Sequence, residues 1–253
     1  MNKVKINNKK INYKKIYQRD GYVALKKVFK ERTLLRLRDD ISLLVDQFDH
    51  SIDNNSLLDL KLINLEKTNQ EQLHKFQIEA SKLISLNALL YELYEVLGPF
   101  CNDHYRPRLE GIGYVLGIPG SSRLSYDWHQ DGSYHENAVG SRLHVWFPIF
   151  HDATINNGCM TFLEDSHKIG ILNYTTTNKT KDGYTTNLVQ NIDDIESQSK
   201  KILCELEVGD CVFFSDSIIH KSNENLSNLC RIAGVFKITF VQNSQKNISI
   251  VGV

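Results

Sequence analysis

His129-Gln130-Asp131 is the only His-x-Asp or His-x-Glu triplet that the nine histidines form. In extended backbone, residues i and i+2 project to the same face. One imidazole and one carboxylate can then grip a single ion from one strand edge. A second imidazole completes a facial set of two histidines and one carboxylate, which suits non-haem Fe(II) with open positions. The triplet alone is weak, because nine His and seventeen Asp in 253 positions predict about 0.6 by chance. The candidate for the second imidazole is His220, in the run SDSIIHKSNEN that follows a Gly-Asp turn and an apolar strand. Polar residues lie on both sides of it, which sets it apart from a packing histidine.

Arg231 opens the apolar run IAGVF and is the only Arg in the 111 residues from Leu143 to Val253. That stretch otherwise uses Lys. A guanidinium holds a carboxylate with two parallel hydrogen bonds, as an ammonium cannot. A lone charge entering a core strand is costly unless something satisfies it. Two partners are open on this reading: a ligand carboxylate, or an Asp or Glu of the protein itself.

Elements must position these groups. Residues 31–49 place Leu34, Leu37, Ile41, Leu44, Val45 and Phe48 at helical spacing. A second helical region runs from Glu71 to Leu97 and is stopped by Gly98-Pro99. After Pro107 the character becomes β. Strands are expected at 109–118, 143–150, 159–163, 202–206, 210–214 and 231–241, with turns at Pro119-Gly120, Gly158 and Gly209-Asp210. Residues 173–201 read as a long polar surface insertion, a candidate lid or a plain solvated loop. Short strands after a helical N-terminal region predict an α+β protein with a β-sandwich or barrel core.

Composition sets the outer limits. Thirty Lys and Arg balance thirty Asp and Glu, so there is no basic excess of the kind that nucleic acid attracts. No apolar run approaches the roughly 18–20 residues of a membrane span. The five cysteines lack C-x-x-C spacing and read as reduced thiols of a cytoplasmic protein. Residues 1–15 are basic with no apolar stretch behind them, and are expected to be a flexible tail. The remainder, 16–253, reads as one domain.

Four separated segments resemble one family. They are WHQDGS at Trp128–Ser133, HVWFPIFHDATINNGCMTFLEDSHKIG at His144–Gly170, GDCVFFSDSIIHKSNENLSNLCR at Gly209–Arg231 and RDGYVALKKVF at Arg19–Phe29. Together they resemble the phytanoyl-CoA dioxygenase family of Fe(II)- and 2-oxoglutarate-dependent oxygenases, over about residues 16 to 241. The resemblance implies a double-stranded β-helix (jelly roll) over 107–245, flanked by helices within 16–100. It implies that His129, Asp131 and His220 bind iron and that Arg231 binds the distal carboxylate of 2-oxoglutarate. It also implies that Ser222 supports that carboxylate and that Trp146 walls the co-substrate pocket. The resemblance makes O2 the oxidant, and succinate and CO2 the co-products of hydroxylation. Desaturation and ring closure share the first hydrogen abstraction and stay open. Halogenating relatives lack the carboxylate that Asp131 supplies here.

One departure is visible, at Glu164-Asp165-Ser166-His167, where the family has Pro-Gly-Ser-His. It changes a loop, not a ligand. His167 is expected to make structural hydrogen bonds, His144 to pack and His135 to face substrate. Arg106, Arg108 and Arg123 stand where an anionic substrate could meet them, and Tyr114, Tyr126 and Tyr134 are candidates for the pocket wall. The expected partner is a small molecule, with no nucleic acid and no membrane span; oligomeric state is not readable. The competing reading is a non-catalytic jelly-roll binding or sensing protein with a vestigial iron site.

Overall fold

The computed structural model describes residues 2–8, 11–50, 57–101, 105–122, 125–135, 142–178 and 185–242. Six helices occur among them: α1 (Tyr13–Asp20), α2 (Glu31–Val45), α3 (Leu58–Thr68), α4 (Gln70–Ala80), α5 (Ser85–Leu97) and α6 (Ile192–Gln198). The stripe on α2 buries Leu34, Leu37, Ile41 and Val45, as its spacing predicts. The region 71–97 is two helices rather than one. Asn69 caps the first, accepting a hydrogen bond from the Gln72 N–H at 3.1 Å.

Twelve strands form three sheets. The larger sheet has the order β2 (Ile6–Asn7), β3 (Tyr22–Leu25), β10 (Cys211–Ser215), β5 (Leu143–Pro148), β12 (Arg231–Gln242), β4 (Tyr105–Gly117). The smaller has the order β1 (Asn2–Lys3), β9 (Lys201–Cys204), β6 (Met160–Leu163), β11 (His220–Ser222). A hairpin of β7 (Tyr174–Asn178) and β8 (Thr185–Val189) stands apart.

Alternation decides which face each residue serves. Val145, Phe147, Phe213, Ile232 and Phe236 pack with the helices in one core cluster. Trp146, Val212, Phe214, Ala233 and Val235 pack with Met160, Phe162 and Ile202 of the smaller sheet in a second. The result is a jelly-roll sandwich with helices against one outer face. Register then lines up Val212, Trp146 and Val235 across three strands, and Phe214, His144 and Lys237 one step further along.

The N-terminal segment departs from the tail expected of it. β1 pairs in parallel with β9, and β2 with β3, so each sheet gains an edge strand. Open sheet edges offer unpaired N–H and C=O groups to any extended chain. Val4, between the two strands, is only 7% exposed and joins the inter-sheet core.

Candidate metal centre

His129 and His220 exchange two backbone hydrogen bonds, each 3.0 Å from N to O. Such a doubly bonded pair sets two residues directly opposite one another. Their ring centroids are 4.2 Å apart. Asp131 follows at i+2 and opens a short 3-10 turn, Asp131–Tyr134. Ligand atoms of His129, Asp131 and His220 all lie within 4.8 Å of one another. The three residues singled out from the sequence therefore meet at one point.

The ring nitrogens are oriented for metal. Nδ1 of His129 lies 2.7 Å from the Asp127 carbonyl and Nδ1 of His220 lies 3.0 Å from the Ile218 carbonyl. A carbonyl only accepts, so each Nδ1 carries a proton and each Nε2 is the nitrogen left for a metal. Burial, then the nearby His129, pushes the His220 pKa down to about 3, so its ring is neutral at ordinary pH. Burial alone would push the Asp131 carboxyl up. Neighbouring His144, His220 and Lys237 overcome that and hold it well below the usual carboxylate range. Two imidazoles and one carboxylate are the donor set that a divalent transition metal needs.

Two side chains fix this geometry that the sequence did not mark out. Gln130, between the two ligands, points the opposite way and is buried. Its amide donates to the Gly170 and Ser217 carbonyls at 2.8 and 2.5 Å, and its oxygen accepts from the Leu172 N–H at 2.8 Å. His144 was expected to pack, and it does stack on Phe214 at 5.2 Å. It also brings Nδ1 within 2.9 Å of the Asp131 carboxylate. That nitrogen lies against the carboxylate without meeting hydrogen-bond geometry.

The triad opens into a cavity of about 440 Å³ between the sheets. Trp146, Ser222, Tyr126 and Tyr134 line it, and so do Thr185 and Lys237, which were not anticipated; Tyr114 borders it but packs with the helix-side core. Arg231 lies behind the cavity, 1% exposed, with its guanidinium carbon 5.5 Å from the Trp146 ring centre. Its Nε and Nη1 are buried without a hydrogen-bond partner. No Asp or Glu of the chain satisfies it, so the protein partner left open above is excluded among the described residues. Burial pushes its pKa down to about 10, which still leaves it cationic at neutral pH. Gly117 makes the room: a Cβ there would sit 2.9 Å from Nη2.

The remaining candidates fall elsewhere. His167 packs on Gly21, which leaves no space there for a Cβ. His135 lies beside the 3-10 turn outside this cavity. Arg108 is taken by Glu110 at 2.5 Å, and Arg123 lies outside the described residues. The polar insertion is neither plain loop nor free flap. β8 bridges to the metal loop at Leu188, the Val189 N–H donates to the Trp128 carbonyl at 3.1 Å, and the Asn187 amide donates to the Ser133 carbonyl at 3.0 Å. Among the described residues no helix is long and apolar enough to cross a membrane. None of the five cysteines is in a disulfide.

A family model described as Phytanoyl-CoA dioxygenase (PhyH) matches residues 17–233. The chain belongs to that family. The match takes in the triad, Arg231, Ser222 and Trp146. Among curated members, a "Phytanoyl-CoA dioxygenase domain-containing protein 1 homolog" of Dictyostelium discoideum is 24% identical over 237 residues, covering 83% of this chain and 84% of that protein. Solved structures share the fold. AviO1 from Streptomyces viridochromogenes aligns with a TM-score of 0.55 at 18% identity, over 88% of this chain and 91% of its own. EvdO2 from Micromonospora carbonacea, complexed with 2-oxoglutarate, gives 0.56 at 15% identity, over 98% and 96%. The epimerase SnoN, in complex with Fe3+, alpha ketoglutarate and nogalamycin RO, gives 0.51 at 17% identity, over 94% and 89%.

Proposed function

We propose that this protein is an Fe(II)- and 2-oxoglutarate-dependent dioxygenase that hydroxylates a C–H bond of a small molecule. One O2 and one 2-oxoglutarate are consumed per turnover, and succinate and CO2 are released with the alcohol. The observation that carries this is the pairing of a two-histidine, one-aspartate donor set with a buried, unpartnered guanidinium beside the same cavity. Iron bound there supplies O2 activation and the oxidative decarboxylation of 2-oxoglutarate.

The protein's own part is placement. His129, Asp131 and His220 donate from one face and leave the opposite face open to ligands. Arg231 holds the distal carboxylate of the co-substrate, with Ser222 two residues past His220 on the cavity wall beside it. Trp146 covers that end and keeps water from it. A vestigial binding protein would have no reason to keep four intact groups and a partnerless buried cation, which disfavours the non-catalytic reading. Succinate release across a metabolite panel tests the proposal. Folded, Fe(II)-loaded protein that gives no succinate above background with any compound, and no visible band with 2-oxoglutarate, would sink it.

Two consequences follow for residues behind the site. His144→Phe keeps an aromatic ring against Phe214 but removes the nitrogen facing Asp131. Fe(II) affinity is expected to fall about 10–100-fold, read by anaerobic titration; an unchanged affinity leaves His144 a packing residue only. Gly117→Ala pushes the Arg231 guanidinium off its resting position. Forcing a side chain off its rotamer costs about 0.5–1.5 kcal/mol. The 2-oxoglutarate dissociation constant should therefore rise roughly 2- to 13-fold, while Fe(II) affinity stays constant.

A further inference from the structure

The inner face of β12 carries two cations, one at each end of the site. Arg231, Ala233, Val235 and Lys237 alternate with residues that face the helices, so all four look into the sandwich. Six residues of strand, at about 3.4 Å each, put Arg231 and Lys237 roughly 20 Å apart along the backbone. The triad and Lys237 line the same cavity, and Arg231 lies behind its Trp146 wall. Lys237 is in register with His144, the residue that touches Asp131, and its charge helps keep Asp131 ionised. A 2-oxoglutarate anchored on Arg231 has four C–C bonds of about 1.5 Å and spans about 6 Å at most. That is well short of the separation along the strand, so Lys237 is left unmet.

Among the described residues Lys237 has no other anion. It is partly buried in the cavity wall and, among the described residues, makes no hydrogen bond and no ion pair. Asp131 is committed to His144 and to the metal position. Glu110, close by on β4, is bound by Arg108 at 2.5 Å and by Arg142 at 2.6 Å. A partnerless ammonium on an inner sheet face is costly unless a ligand completes it. Space for one exists. Gly111 and Gly113, on the neighbouring strand β4, flank Lys237 and Val235 without side chains, and a Cβ at Gly113 would meet nothing within 4 Å. Tyr126 and Tyr134 stand beside the His129 ring, at 5.6 and 6.4 Å between centroids, and offer apolar surface next to the metal.

We propose that Lys237 anchors an anionic group of the substrate, a carboxylate or a phosphate monoester, and so selects small organic anions with an apolar body. The anion sits on Lys237, the apolar part lies against Tyr126 and Tyr134, and the C–H bond to be oxidised lies over the triad. This rests on the dioxygenase reading above, because that reading is what assigns the Arg231 end to the co-substrate.

The test uses binding, with redox-inert Mn(II) in the metal position and saturating 2-oxoglutarate, so that the triad and Arg231 are occupied. Calorimetry compares 3-phenylpropanoate, benzoate and phenyl phosphate with the methyl esters of the two acids and with phenol. At least one anion is expected to bind tenfold or more tightly than its neutral partner. That preference should vanish in Lys237→Ala and persist in Lys237→Arg, while 2-oxoglutarate affinity changes less than twofold. The proposal is overturned if no anion outbinds its partner, or if the preference survives in Lys237→Ala. It is also overturned if Lys237→Ala weakens 2-oxoglutarate tenfold, which would put Lys237 on the co-substrate. Failure of 2-oxoglutarate to bind the Mn(II) protein at all would instead sink the dioxygenase reading.

Discussion

His220→Ala is expected to erase the visible charge-transfer band that forms when Fe(II) and 2-oxoglutarate are added to the protein without oxygen. Succinate release should fall by more than the roughly 10–100-fold that follows loss of a group merely behind a metal ligand. The substitution is informative because of how His220 is held. Its link to His129 runs through two backbone hydrogen bonds, which alanine keeps. Its ring meets Phe214 at 5.0 Å and Phe162 at 6.2 Å, so the deletion opens a small cavity without breaking the bridge between the two strands. Circular dichroism should be unchanged while the band disappears. A band that persists in folded His220→Ala would remove this residue from the metal site.

Arg231→Lys should raise the dissociation constant for 2-oxoglutarate and leave Fe(II) affinity alone. Losing a charge-assisted, bidentate contact costs roughly 1.5–3 kcal/mol, or about 10- to 150-fold. The geometry favours the upper part of that range. The guanidinium is 1% exposed and its Nε and Nη1 have no protein partner, so no side chain makes up the loss. Lysine keeps the charge but offers one donor point instead of a planar fork. Anaerobic titration of the Fe(II) protein with 2-oxoglutarate measures the shift. An unchanged constant would mean that the co-substrate is held somewhere else.

How much of this was legible beforehand differs from residue to residue. The candidate ligand set was legible because His129 and Asp131 are close in sequence and strand alternation carries them to one side. Arg231 was legible because a single guanidinium in a stretch of lysines, at the start of an apolar strand, needs a partner. The strands 143–150 and 231–241 were legible from apolar runs, and they are observed as Leu143–Pro148 and Arg231–Gln242. Helix α1 escaped notice although its signals are present. Asn12 caps its start and Gly21, at φ 76°, ends it, but the apolar stripe between them is only Tyr13, Ile16 and Tyr17.

Other features could not be read in advance, because they depend on segments far apart in the chain. The N-terminal residues look like a solvated tail until β9 and β3 offer them open edges. The hairpin of β7 and β8 looks like a polar insertion until its backbone is seen bonded to the metal loop. His144 and Lys237 carry no local mark. A histidine in a strand reads as packing, and a lysine in a strand reads as a solvated edge.

The sequence by itself therefore marked out the candidate donors, the main core strands and the face on which their side chains stand, because those follow from residue type and a period of two. Only the tertiary structure decided which faces enclose a common space. That depends on register between strands distant in the chain, and register set Lys237 opposite His144 and His144 against Asp131. It also left Arg231 buried with no partner among the described residues, and so gave the guanidinium a meaning that its place in the chain could only suggest.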